Sequence, residues 1–104
     1  MPELPEPFQK LRQDHPRVHQ AYEALANAVH EAGPLDERTR RLVKLAVSVG
    51  ARLEGAVRSH AWQARDAGVT ANEMDHVVLL ALTTIGLPST VAARTWVASA
   101  LAEE

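Results

Sequence analysis

An all-α fold, built as a single-domain bundle of about six helices, is what this sequence predicts. Three observations predict it. Apolar residues recur at spacings of three and four along most of the chain. Glycine and proline interrupt that pattern at intervals of a helix length, and no stretch keeps the strict alternation of a half-buried strand. The 104 residues leave room for one hydrophobic core and no second one.

The elements follow in order. Residues 1–7 carry Pro2, Pro5 and Pro7 and are expected as an extended tail, ahead of a single domain over 8–104. A short helix covers Phe8 to Asp14. Pro16 suits the first turn of a second helix, where its missing N–H needs no partner. Val18, Tyr22, Leu25 and Val29 form that helix's apolar stripe, and Gly33-Pro34 ends it. Asp36 is the expected N-cap of a third helix, with Glu37 at the positive end of its dipole and Gly50 as its stop. A fourth helix runs from about Glu54 to Ala67, with Gly68 as the left-handed residue beyond it.

The clearest local signal is the capping box of Thr70 and Glu73, flanked by the hydrophobic staple of Val69 and Met74. The fifth helix, from about Ala71 to Ile85, holds Val77-Val78-Leu79-Leu80-Ala81-Leu82, a run that is apolar on every face. Such a run is covered either by neighbouring helices of its own chain or by a second subunit. After Gly86-Leu87-Pro88, Ser89 or Thr90 opens a last helix carrying Val91, Ala92, Trp96 and Leu101.

Composition excludes several chemistries. The apolar share is 46% but aromatics reach only 4%, so alanine, valine and leucine build the core. Cysteine is absent, which removes disulfides, thiolate metal sites, iron–sulfur ligation and any cysteine nucleophile. Eleven basic against 13 acidic residues give a net charge of -2, unsuited to neutralising nucleic-acid phosphates. A helix-turn-helix reading of Ala67 to Leu80 fails likewise, because its second helix holds Glu73 and Asp75 and no lysine or arginine. No apolar run reaches the roughly 18 residues of a membrane span, and the first residues lack a charged-then-apolar leader pattern. A cytoplasmic protein that binds neither membrane nor nucleic acid is expected.

His60 is the first candidate for chemistry. It lies mid-helix with Ala56 four residues before it and Ala64 four after, so its own helical face leaves space around the imidazole. A group whose reference pKa of about 6.5 lies near neutrality can both give and take a proton there; a packed histidine bonded to a carbonyl is the plainer alternative. Glu54 and Arg58, four apart, are expected to pair on the helix surface. Glu54 stands about 240° around the helix from His60, which argues against a Glu–His pair within it. His15 and His19 have the spacing of a helical metal pair, but His15 precedes Pro16 and no third ligand is near in sequence, so no metal is expected. Arg38, Arg40, Arg41 and Lys44 crowd the third helix, either as a solvated face or with Arg41 binding an anion. Thr83 and Thr84 either bond back to helix carbonyls or lend hydroxyls to a pocket near His60.

From Leu35 to Leu101 the chain resembles the carboxymuconolactone decarboxylase family, which includes the alkylhydroperoxidase D-like proteins. The matching residues are Leu35-Asp36-Glu37-Arg38-Thr39-Arg40-Arg41-Leu42-Val43-Lys44-Leu45-Ala46-Val47-Ser48-Val49, then His60, Ala67-Gly68-Val69-Thr70 with Glu73-Met74, and Gly86-Leu87-Pro88 before an alanine-rich helix. The resemblance implies an all-helical protomer that assembles with itself into dimers, trimers or hexamers. Peroxidase-like members carry Cys-x-x-Cys-x-x-x-His and an upstream glutamate. Aligned on His60, those positions hold Leu53, Ala56 and Arg41, so thiol redox chemistry is not expected. Decarboxylase members keep the histidine and place a glutamate about one turn before it, where this chain has Gly55 and Ala56, with Glu54 one step further out.

Two functions are compatible with these residues. One is a cofactor-free lyase on a small lactone or keto acid, with His60 as proton donor or acceptor and Arg41 or Arg58 holding the carboxylate. The other is a non-catalytic oligomer that binds a small molecule or a protein on the same fold.

Overall fold

The computed structural model describes residues 6–103 and consists, among them, of seven helices and no strand: α1 (Glu6–Asp14), α2 (Pro16–Glu31), α3 (Glu37–Gly50), α4 (Glu54–Asp66), α5 (Ala71–Leu80), α6 (Leu82–Ile85) and α7 (Leu87–Ala102). The all-α expectation holds. The expected count of about six is met when α5 and α6 are taken as the one helix foreseen over 71–85, which breaks at Ala81. Two compact units divide the chain, a helical hairpin through Leu35 and a five-helix unit from Asp36 onward.

In the hairpin, α1 begins at Glu6, two residues before the expected start, because Pro7 is tolerated in a first turn whose N–H groups have no intrahelical partner. The expected extended tail otherwise lies outside the described residues. α2 starts as foreseen at Pro16, with His15 outside it as N-cap, and ends ahead of Gly33. None of the hairpin's residues 7–35 is buried.

In the five-helix unit, Asp36 caps α3 by accepting the Thr39 N–H at 2.8 Å, which holds the Asp36 carboxyl below its ordinary range. Both α3 and α4 end in the same backbone device. The N–H of Leu53 reaches Ser48 O and that of Arg52 reaches Val49 O; after α4, Val69 N–H reaches Ala64 O and Gly68 N–H reaches Arg65 O. The device requires a left-handed residue, supplied by Gly68 (φ 88°) as expected after α4 but by Arg52 (φ 58°) after α3. The Thr70–Glu73 capping box forms in both directions, and Val69 and Met74 are buried around it.

α7 begins earlier than Ser89 or Thr90. Gly86, at φ 91°, takes the capping position, and Pro88 falls in the first turn, where it needs no donor. The Thr90 hydroxyl instead donates back to Gly86 O at 2.8 Å. The buried face of α7 is Thr90, Ala93, Val97 and Ala100. Ala93, Val97 and Ala100 of that face form the core together with Leu45 and Val49 of α3, Val57, Ala61, Trp62 and Ala64 of α4, Val69, and Met74 and Val78 of α5. α4 is its central element, packed chiefly on α3 and α7. The Trp62 indole N–H donates to Ala100 O at 2.8 Å, satisfying the one polar atom that its burial encloses.

The all-round apolar segment is covered on one side only within its own chain. Val78 is buried, whereas Leu79 and Leu80 are 50% and 63% exposed.

Candidate functional site

The two flanks of α4 carry the candidate residues, and they divide them. On the α7 flank, Arg58 donates to Glu54 at 3.2 Å, to Glu103 at 3.0 Å and to Ser99 Oγ at 3.1 Å. Glu54 and Arg58 therefore pair as their spacing suggests, but the pair is drawn toward the C-terminal end of α7. Arg65 follows on the same flank with a bond to Leu101 O.

On the α3 flank, Arg41 donates to Gln63 Oε1 at 2.8 Å, and Gln63 Nε2 donates to Ser59 Oγ at 3.0 Å. The Arg41 side chain is only 18% exposed, with Glu37 at 3.9 Å one turn before it. His60 lies one turn before Gln63 and so shares the face that meets Arg41. The imidazole is half-buried, with its Nδ1 enclosed. Ala56 and Ala64, one turn either side of it, leave the ring without bulky helical neighbours.

The register of this antiparallel pair adds a residue that spacing alone did not single out. With Arg41 opposite Gln63, one turn forward on α3 and one turn back on α4 bring Lys44 level with His60. Lys44 is half-buried; burial first, and then the nearby Arg41 guanidinium, push its ammonium below the ordinary range. The four cations of α3 are thus not one solvated face. Arg38 is surface-exposed and pairs with Glu73, whereas Arg41 reaches Gln63 of α4 and Lys44 is half-buried one turn beyond Arg41. A cation in a mostly helical sequence reads as surface until its register with a neighbouring helix is known, and that is why Lys44 stood in the sequence only as one of four cations on α3.

Thr83 is exposed on α6, an element that packs on α5 and α7, and so stands apart from the α3–α4 flank. The buried hydroxyls are instead Thr90 and Ser48, the latter donating to Leu45 O. Among the described residues no three His, Asp or Glu side chains gather as metal ligands; His19 meets Glu23 at 3.1 Å. A groove of about 520 Å³ lies between α5 and α7, crossed by the ion pair of Arg94 and Asp75 at 2.6 Å, and His60 is not in its lining. No helix of the described residues is long and apolar enough to cross a membrane.

The described arrangement matches known proteins at two levels. An uncharacterized protein of Haemophilus influenzae is 42% identical over 57 residues, which are 55% of this chain and 50% of that protein, so the chain spans half the length of this relative. The apo crystal structure of a carboxymuconolactone decarboxylase family protein from Legionella pneumophila superposes with a TM-score of 0.74 over 92% of this chain and 85% of the other, at 22% identity, a likeness of fold. The family model described as "Carboxymuconolactone decarboxylase family" matches residues 16–99 and thereby takes in α2 as well as the stretch from Leu35. With most of its length matched, the chain belongs to the carboxymuconolactone decarboxylase family.

Proposed function

We propose that this protein is a cofactor-free lyase acting on a small lactone or keto acid, with His60 as the proton donor and Arg41 as the anchor for the substrate carboxylate. One observation carries the reading: a half-buried imidazole and a half-buried arginine side chain share the α3–α4 flank, the latter aimed by its bond to Gln63. A guanidinium fixed in direction binds a carboxylate through paired N–H donors. The carbon–carbon bond to a carboxylate of the substrate then breaks, CO2 departs, and the electron pair passes into the substrate's own carbonyl system. His60 delivers the proton to the resulting enolate, a step worth about 10² to 10⁴ in rate when the donor is positioned. Arg58 and Glu54 bind each other on the opposite flank and have no part in this step.

The protein acts as a homo-oligomer in this reading. No charged side chain occurs between His76 and Arg94, and Leu79, Leu80, Leu87 and Val91 are all at least half exposed there. An uncharged apolar surface meets a second copy of itself without opposing charges. The engagement of Glu54 with Arg58 favours a second reading, a binding module without turnover, because it ties up the acidic side chain that stands one step beyond the decarboxylase position.

Thermal-shift screening of lactones and small keto acids on the wild type and on His60→Ala, followed by assay of the hits for CO2 release, separates the two. Saturation at 100 times the dissociation constant stabilises the fold by about 2.7 kcal/mol. For the lyase, a hit shifts the wild type and releases CO2, and His60→Ala loses most of that release. A hit that binds both proteins equally and is never turned over overturns the lyase reading in favour of the binding module.

A further inference from the structure

The chain uses nine arginines and only two lysines, Lys10 and Lys44. The two differ in burial and in the sign of the charge beside the amine. Lys10 is exposed and pairs with Asp14 at 3.5 Å. Lys44 is half-buried, stands one turn from Arg41, and is level with His60 by the register that the Arg41–Gln63 bond sets. Arginine stays protonated in proteins, whereas a lysine beside a second cation and away from water sheds its proton more readily and becomes a nucleophile. Burial and the Arg41 charge act on Lys44 in this same direction.

We propose that Lys44 is a carbonyl-reactive amine that forms an imine with a small keto acid at the His60 site. The proposal rests on the reading above for the location of that site and gives its substrate class as a β-keto acid. The neutral Lys44 amine adds to the ketone carbon, and loss of water leaves a protonated imine. The bond from the α-carbon to the carboxylate then breaks, CO2 departs, and the electron pair moves to the imine nitrogen as an enamine. His60 protonates the α-carbon, and water restores the amine and releases the ketone. Every atom comes from the keto acid, water and this chain, and no oxidant or reductant takes part. The carboxylate of the incoming acid lies against Arg41 until it leaves.

The test is reductive trapping on the full chain, with acetoacetate as probe and sodium borohydride as reductant, read by intact mass and peptide mapping. The expected result is one adduct per chain, on Lys44 in clear excess over Lys10. Loss of the adduct is expected in Lys44→Arg, a variant that keeps the charge and the fold, whereas His60→Ala still traps. Absence of an adduct on Lys44, or equal labelling of Lys10, overturns the proposal. Release of CO2 that requires His60 but survives Lys44→Arg also overturns the imine while leaving the proton-transfer reading in place. Trapping confined to Lys44 without CO2 release from the wild type supports the imine and overturns decarboxylation.

Discussion

The α1–α2 hairpin and the five-helix unit answer the same kind of sequence pattern in opposite ways. α2 has a regular apolar stripe at spacings of three and four, yet Val18, Tyr22, Leu25 and Val29 are all more than half exposed. α7 is apolar nearly all round, with no single stripe to read, and buries four residues. Every buried apolar residue of the described chain lies between Leu45 and Ala100. An amphipathic stripe states a demand for a covering surface; which surface meets it, and whether one does within the same chain, is a property of tertiary packing.

The largest expected effect comes from the best-covered side of that contrast. Trp62→Ala removes a buried indole and its bond to Ala100 O, and is expected to cost about 3–5 kcal/mol by denaturant unfolding. A cost below about 1 kcal/mol would show that α4 and α7 do not form the stabilising contact described. Next comes Thr70→Ala, which removes the side-chain half of the capping box at α5 and is expected to cost about 1 kcal/mol.

A pH titration sharpens the picture at the same helix end. The Arg38 guanidinium, and then the Thr70 N–H, hold the Glu73 carboxyl at about 2, against an ordinary value of 4.5. Its folded-state value lies below its unfolded one, so its contribution to stability is complete above pH 4.5 and is lost as the pH falls toward about 2. Glu73→Gln keeps the reach to the Thr70 N–H but loses the charge. The melting temperature of this variant should therefore fall less steeply than that of the wild type across that interval; parallel curves would show that the Arg38 pair contributes nothing in solution.

The smallest effect is expected in the hairpin. Leu25→Ala, at an exposed position, should change stability by no more than about 0.5 kcal/mol in dilute protein. A larger loss that grows with protein concentration would break the comparison, because it would mean that a second copy covers the stripe of α2.

Helix ends were the most legible part of the molecule. Asp36, Gly68 and the Thr70–Glu73 box act through atoms within four residues of themselves, so sequence suffices to place them. The end of α3 was less legible, since arginine at a left-handed position carries no signal; Arg52 is held there by the backbone bonds that close the helix and by its own bond to Ser89 Oγ at 2.8 Å. Of the site, the pairing of Glu54 with Arg58 was readable because both partners lie on one helix. The bond of Arg41 to Gln63 spans 22 residues, and nothing local to either side chain announces it.

Periodicity and turn chemistry by themselves determined that this chain is helical, where most of its helices begin and end, and that no thiol chemistry is open to a protein without cysteine. Tertiary structure decided the rest: that α4 takes the centre of its unit, and that Arg58 turns to α7 while Arg41 turns to Gln63 on the other flank. The physical reason is range. Helical hydrogen bonds and caps join atoms a few residues apart, whereas a site made of two helices depends on the register between them, which only the packing of the whole unit sets.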